Sequence, residues 1–401
     1  MEIRKLKSSE YVQFKGICQT VFFDMEREDV REMQKSPSEH AIEDSLVRLG
    51  FFDCENLMSA LQIVPFTMHM NGHNVQMGGI GAVVTKPEAR GRGQMEILLK
   101  AAFHEMSERG QAFSFLYPFS FAYYRKFGYE MCYAYNKVKI PVSQMNSYKC
   151  EVHAESFEPG DSSVLYEEIY RLFTCERNLS IVREESDWKR ILDRDPYKNL
   201  EFTYLFRNND GCVVAYILYN AERDDDDGNR LIIQECCWIN PEALHLVFGF
   251  IAKLGAEFEY VHWNAPSDID IYALFPEGFD LEWKRESAGM NRLVDVRSAL
   301  STLRAPSQSG SVILDVTDKF LPQNSGIYSV EWENGKLSVE TPISVASMPD
   351  IETSVETLAQ LVTGYITPGT AIHKKDTAIL GNLSGLNALF PQRHLYIMER
   401  Y

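Results

Sequence analysis

Residues 78–96 read Gly-Gly-Ile-Gly-Ala-Val-Val-Thr-Lys-Pro-Glu-Ala-Arg-Gly-Arg-Gly-Gln-Met-Glu. Ala82-Val83-Val84 reads as a short strand, Pro87 breaks its ladder, and Arg90-Gly91-Arg92-Gly93 forms a basic glycine turn. From Gln94 the run Gln-Met-Glu-Ile-Leu-Leu-Lys takes up helical patterning. A strand, a basic turn and a helix in that order make an anion site, because the first turn of a helix has unpaired N–H groups and the positive end of its dipole. Glycines at 91 and 93 let a phosphate approach the backbone with no Cβ in the way, and Arg90 and Arg92 add charge. A diphosphate is the natural guest. The chain has no G-x-x-x-x-G-K-[ST], and no G-x-G-x-x-G follows a strand in a βαβ setting, so the two common nucleotide loops are set aside. An ordinary basic turn between strand and helix is the alternative reading.

A chain of 401 residues exceeds one ordinary core and, at ~150 residues per domain, suggests two or three. With 40 Lys and Arg against 57 Asp and Glu, the net charge is −17. Such a surface repels nucleic acid and anionic lipid and suits a cationic substrate, or serves solubility alone. The eight cysteines show no C-x-x-C and no metal-ligand spacing, and no secretory leader is seen, so reduced and mostly buried thiols in a cytoplasm are expected. No apolar run approaches the ~20 residues that span a bilayer.

Along the chain, residues 2–6 alternate like a strand, and Ser8-Ser9-Glu10 starts a helix through Tyr11 to Phe23. Asp24, Glu26, Glu28 and Asp29 come next, as a solvated loop or as an acidic rim for an ammonium group. A second helix is predicted from Ser36 to Leu49, stopped by Gly50. Two β-rich runs, 57–70 and 75–84, flank Asn71-Gly72-His73, a strong hairpin signal. The helix after the basic turn reaches about Glu108, and 112–117 forms a short buried strand. From Phe202 to Trp238 the chain is β-rich, with Asp224 to Asp227 as a hairpin tip whose spacing fails the EF-hand pattern. Pro241 to Leu254 is helical and 260–264 a strand, so a second unit repeats the first without its Arg-Gly-x-Gly loop. Past Met290 come strands at 312–316, 326–332 and 336–340, then helices at 351–363 and 384–389.

The second chemical signal is Tyr123-Tyr124-Arg125-Lys126-Phe127-Gly128-Tyr129-Glu130. An aromatic cluster is usually core, and that reading stands for Tyr123 and Tyr129. Together the basic loop and the Tyr-Arg-Lys-Phe-Gly-Tyr segment resemble the GNAT acetyltransferase superfamily, and with the aromatic C-terminus the whole chain resembles the Eis (enhanced intracellular survival) family. That resemblance implies a mixed α/β fold of the α+β class: an N-terminal GNAT domain at 1–148, a second, degenerate GNAT-like domain at 149–288 and a sterol-carrier-protein-like domain at 289–401.

The resemblance further implies an acetyl-CoA-dependent N-acetyltransferase acting on a primary amine of a small cationic, aminoglycoside-like or polyamine-like, or Lys-containing substrate. It places the backbone of Val83, Val84 and Thr85 along the pantetheine arm, with Arg90, Gly91, Arg92, Gly93, Gln94, Met95 and Glu96 around the diphosphate. Met95 stands where the family pattern has a small residue. Phe119 and Ser120 lie near the thioester in this reading. Tyr124 matches the general acid, the α-carboxylate of Tyr401 the general base, and Asp24, with Glu26, the acidic substrate pocket. A homo-oligomer, hexameric by resemblance, with no metal, nucleic acid or membrane partner, completes the expectation. A non-catalytic acyl-CoA or lipid sensor is the alternative. A phenol with a reference pKa near ~10 is a competent proton donor to a thiolate whose conjugate acid lies near ~8.5.

Overall fold

The alternation in residues 2–6 and the long β-rich runs after it build a twisted sheet. The structure, a computed structural model, describes residues 2–22, 46–193, 196–224, 228–275, 277–341 and 348–399. The chain forms two compact units: Met1–Cys132 with Gly289–Arg393 and Glu399–Tyr401, and Tyr133–Ala288 with His394–Met398.

In the first unit, β1 (Glu2–Lys5), β2 (Val47–Asp53), β3 (Asn56–Met70), β4 (His73–Thr85) and β5 (Phe113–Leu116) lie side by side in that order. The first four pair antiparallel, and β4 pairs parallel with β5. Parallel neighbours need a crossover, and α2 (Gln94–Glu108) provides it. Its Leu98, Leu99, Ala102, Phe103 and Met106 are buried at helical spacing against Val47, Leu49, Leu61, Ile63 and Ile80. The other face is covered by α1 (Tyr11–Val21), whose Phe14 and Ile17 meet Leu6, Phe52 and Leu57. At the hairpin, Asn71 and Gly72 both take left-handed φ, 54° and 87°, as a two-residue Asn-Gly turn requires.

The predicted helix over 36–49 is corrected at its end: Val47–Leu49 belongs to β2, and 36–45 lies outside the described residues. Val47, Leu49 and Phe51 face α2 while Phe52 faces α1, so the strand is buried on both sides and shows no clean alternation. Gly50 is a packing glycine rather than a helix stop, since a Cβ there would lie 2.6 Å from Leu57 Cδ1 and 2.7 Å from Leu6 Cδ1.

The C-terminal part of the same unit has a five-stranded sheet ordered Lys336–Glu340, Gly326–Glu333, Gly310–Thr317, Ile351–Ser354, Ala378–Ile379. The helix predicted from 351 begins at Val355 instead. Ile351 and Thr353 point inward while Ile351–Ser354 pairs parallel with Gly310–Thr317, and Ser354 Oγ then caps the helix by accepting from Thr357 N at 3.2 Å.

The second unit repeats the order hairpin, helix, strand: Val213–Asp224, Gly228–Trp238, Pro241–Lys253 and Tyr260–Pro266. Leu244, Val247, Phe248 and Ile251 of the helix pack on Ile217, Leu231, Val261 and Trp263. The other sheet face carries Tyr216, Leu218 and Cys237 under Tyr166, Tyr170, Phe173 and Trp188. Residues 225–227 of the aspartate run lie outside the described residues.

All eight cysteines are free, but only Cys132, Cys236 and Cys237 are buried. Cys54, Cys150, Cys175 and Cys212 are exposed, which corrects the expectation of mostly buried thiols; Cys54, for example, occupies the left-handed turn position (φ 52°) between β2 and β3. No helix among the described residues is long and apolar enough to cross a membrane.

Candidate functional site

The site begins with an irregularity in β4. Ala60 and Gln62 of β3 oppose Val84 and Gly81, so β4 carries one extra residue there, a β-bulge, and Ala82 takes φ 45° to make it. Pairing between β4 and β5 runs only from Met77/Phe113 to Gly79/Phe115. Beyond that point residues 80–85 stay paired with β3 on one side, and no described strand pairs with the other. An unpaired strand edge is a main-chain binding surface, open to any guest carrying amides. Val83, Val84 and Thr85 lie on it.

That edge runs into the basic loop. Pro87–Ala89 forms a single 3-10 turn, and Arg90 Nε donates to Thr85 O at 3.3 Å, tying the loop to the strand end. Gly91 and Gly93 take φ 75° and 73°, and a Cβ on either would meet no atom within 4 Å. They are therefore glycines facing open space in a conformation other residues avoid. Gly93 is the N-cap of α2 and offers no side-chain cap, so the first-turn N–H groups remain available. Arg92 is exposed, and Glu96, also exposed, pairs with Lys100 at 2.8 Å.

Gln94 and Met95 turn inward. Gln94 Oε1 accepts from the buried Ser59 hydroxyl at 2.6 Å, and Met95 joins the core under α2. Only the backbone of these two residues can line the loop. The bulk of Met95, where the family pattern has a small residue, is thereby kept out of it.

Ser120 opens α3 (Phe121–Arg125), its hydroxyl accepting from Tyr123 N at 3.3 Å. Tyr124 is 3% exposed and meets Phe119, Tyr123 and Tyr129 edge-on at ring distances of 5.4, 5.2 and 6.0 Å. Its hydroxyl has no hydrogen-bond partner among the described residues. Burial, with Tyr123 beside it as a lesser cause, pushes its pKa above the ordinary phenol value. The group is thus protonated throughout the neutral range. Tyr129, in contrast, is fully buried with its hydroxyl bonded to Ser114 at 2.6 Å, and serves packing. Phe119 is largely exposed and Ser120 half-buried at the mouth of this cluster.

Past β5, the Tyr117 hydroxyl donates to the main-chain carbonyl of Glu399 at 2.8 Å. Glu399 is therefore tied to the segment between β5 and α3. Tyr401, Asp24 and Glu26 lie outside the described residues. Ser59 and Tyr117 were not singled out in the sequence; a serine at an inward parity of β3 is the only signal for the first, and the second has none.

Residues 2–132 match the family model described as Acetyltransferase (GNAT) domain, 179–293 match a second model of that description, and 296–398 match the Sterol carrier protein domain. No curated protein matches the sequence significantly. Among solved structures, a GCN5-related N-acetyltransferase from Anabaena variabilis shares the fold at TM-score 0.86 and 21% identity, covering 100% of each chain. A probable N-acyltransferase from Enterococcus faecalis does so at TM-score 0.82 and 19% identity, over 98% of this chain and 97% of its own. Eis1 from Mycobacterium abscessus does so at 0.75 and 17%, over 100% of each. The chain carries two GNAT acetyltransferase domains followed by a sterol carrier protein domain, and the three structures share its fold.

Proposed function

We propose that this chain, an Eis-like GNAT acetyltransferase, moves an acetyl group from acetyl-CoA to a primary amine in its first domain, with Tyr124 as general acid. The observation that carries this reading is the continuity of the open β4 edge with the uncapped, glycine-lined N-terminus of α2. A pantetheine arm has amides to pair with the first, and a diphosphate suits the second. Val83, Val84 and Thr85 would hold the arm, and Arg90 to Glu96 the diphosphate through backbone N–H groups and the two arginines. Phe119 and Ser120 would stand beside the thioester.

In the reaction the amine nitrogen forms a bond to the thioester carbon and the carbon–sulfur bond breaks. The departing sulfur needs a proton and the attacking nitrogen must lose one. Tyr124, which burial keeps protonated throughout the neutral range, holds the proton a donor needs. A backbone N–H at the β4 bulge would hold the carbonyl oxygen as negative charge gathers on it. The acceptor of the nitrogen's proton would be the Tyr401 α-carboxylate. Its position two residues beyond Glu399, which Tyr117 holds, supports that role. A carboxylate with a reference pKa of roughly 3.5 is a weak base, so it would work through a water or with burial raising its pKa. Asp24 and Glu26 would form an acidic rim for a cationic amine, such as a polyamine, an aminoglycoside or a lysine side chain. Assembly as a homo-oligomer, hexameric by family resemblance, belongs to the same proposal and is read by sedimentation equilibrium.

The test is thiol release from acetyl-CoA against a panel of those amines, with the intact chain and with Tyr124→Phe. Turnover by the intact chain, and a loss of roughly 10²-fold or more in kcat in the variant with acetyl-CoA binding retained, is the expected result. Binding of acetyl-CoA without transfer to any amine, or a variant as fast as the parent, would refute the assignment.

A further inference from the structure

Tyr124 stands one residue before the end of a five-residue helix, too short to hold itself in place. Its position is set by the turn C-terminal to that helix. The Tyr124 carbonyl accepts from Phe127 N at 2.9 Å and from Tyr129 N at 3.4 Å, so α3 and the turn 127–130 move as one piece. The turn is gripped at two points, by Arg292 with its partner Asp318 of the C-terminal domain, and by Lys374 and Gln360 of that domain.

The first grip is on Gly128. Arg292, fully buried, lies against it, and a Cβ on Gly128 would fall 1.5 Å from Arg292 Nη1. Arg292 Nη2 in turn donates to Asp318 Oδ2 at 2.6 Å, and Asp318 also accepts from Phe320 N, Leu321 N and Asn324 Nδ2 at 2.9–3.0 Å.

The second grip is on Glu130. Its carboxylate accepts from Arg125 Nη2 at 2.7 Å, from Arg125 Nε at 3.0 Å and from Met131 N at 2.9 Å. Lys374 Nζ reaches the same carboxylate at 3.3 Å and donates to Gln360 Oε1 at 2.7 Å, while Gln360 Nε2 donates to the Met131 carbonyl at 2.5 Å. The chain Gln360, Lys374, Glu130, Arg125 thus connects the C-terminal domain to the residue next to Tyr124.

We infer that the sterol carrier protein domain is a positioning element for Tyr124, with Lys374 and Glu130 as the positioning residues through which it acts on α3. The inference rests on the reading of Tyr124 as general acid. Lys374 is the informative member. Its removal leaves Glu130 bonded to Arg125 and Met131, so the fold is retained, whereas loss of Arg292 or Asp318 would leave an uncompensated buried charge.

The experiment uses the full chain and compares Lys374→Met and Lys374→Arg with the parent, each alone and in the Tyr124→Phe background. It reads kcat, KM for acetyl-CoA and melting temperature with an amine the parent acetylates. Lys374→Met should lower kcat about 3- to 10-fold, less than the full size of a charge-assisted hydrogen bond because the loss reaches Tyr124 only through Glu130 and α3, with KM for acetyl-CoA and the melting temperature nearly unchanged. Lys374→Arg should restore most of the rate, and Lys374→Met should add no further loss once Tyr124 is phenylalanine. An unchanged kcat, or the same loss in both backgrounds, would overturn the inference while leaving the general acid in place. If Tyr124→Phe by itself is as fast as the parent, the general-acid reading falls first, and the inference with it.

Discussion

Two glycines at opposite ends of α2 allow the diphosphate loop to be tested against its own internal control. Gly93 at the N-terminus has φ 73° and Gly110 beyond the C-terminus has φ 69°, and a Cβ on either would meet nothing within 4 Å. Alanine at each site therefore carries the same penalty, roughly 1–2 kcal/mol for an L-residue in the left-handed region. In a chain of this length that is a fall of about 1–2 °C in melting temperature. The two differ in what the open space is for. If a diphosphate occupies it at Gly93, the added methyl displaces one or two charge-assisted hydrogen bonds worth about 1.5–3 kcal/mol each. The loss of even one such bond corresponds to a rise in the Kd for acetyl-CoA of about 10- to 100-fold. Thermal melts should show equally lowered melting temperatures for Gly93→Ala and Gly110→Ala relative to the parent, and titration calorimetry a Kd that rises only in the first. Equal affinities in all three, or equal losses in both variants, would refute the placement of the diphosphate. Gly128 has φ 80° but stands 1.5 Å from Arg292 Nη1 once a Cβ is added, so Gly128→Ala should fail to fold normally, which separates strain from steric overlap.

Ser59→Ala removes the buried donor to Gln94 Oε1 at the start of α2 and should raise KM for acetyl-CoA several-fold with little change in kcat, as measured by initial rates; an unaltered KM would exclude a role for that bond in shaping the loop. Tyr117→Phe releases the Glu399 carbonyl and should lower kcat about 3- to 10-fold, and this loss should vanish when Tyr401 is deleted; persistence in the deleted chain would show that Tyr117 acts elsewhere. Tyr124, Tyr129, Tyr216 and Tyr396 all have pKa values raised by burial. The folded state thus holds protons that the unfolded chain releases above pH ~10, so stability is full below that pH and falls as pH rises past it; a melting temperature level from pH 9 to 11 would contradict this. Calorimetry should also find one acetyl-CoA per chain, and two equivalent sites would be the contrary result.

Much of the first domain was legible because its signals are local. Asn71-Gly72 can take only a narrow set of turns, and Gly91 and Gly93 announced backbone conformations that the structure has. Periodicity placed α2 because one stripe of it is apolar. It misread 47–49 and 351–354, two short strand segments that directly adjoin a run read as helical and are too short to show a period of their own. Tyr124 could be picked out by its motif, but its unpartnered hydroxyl could not. The contacts made by Ser59, Tyr117 and Lys374 join residues 35, 282 and 244 positions apart, and no pattern in one sequence carries that information.

The two GNAT units differ in the features that separate a site from a scaffold. In both, a strand pairs parallel with the strand after a helix over only part of its length, ending at Gly79/Phe115 in one and at Ile233/Trp263 in the other. In the first, eight residues join the strand ending at Thr85 to the helix starting at Gln94; in the second, two join Trp238 to Pro241. A loop of two residues cannot form a glycine cradle. The second helix also closes its own terminus: the Asn240 side chain accepts from Ala243 N at 2.9 Å, and Pro241 at the first position brings no N–H. The donor that an anion would use at Ala243 is taken by the chain itself, which stabilises the helix and leaves fewer free donors for a phosphate. At Gly93 the opposite choice holds: the terminus has no side-chain cap, at a cost of a few tenths of a kcal/mol relative to a good cap, and its donors are open to an anion. The contrast between the two helix N-termini is therefore a matter of capping, and it is visible in the sequence as Asn-Pro where the first domain has Arg-Gly-Arg-Gly.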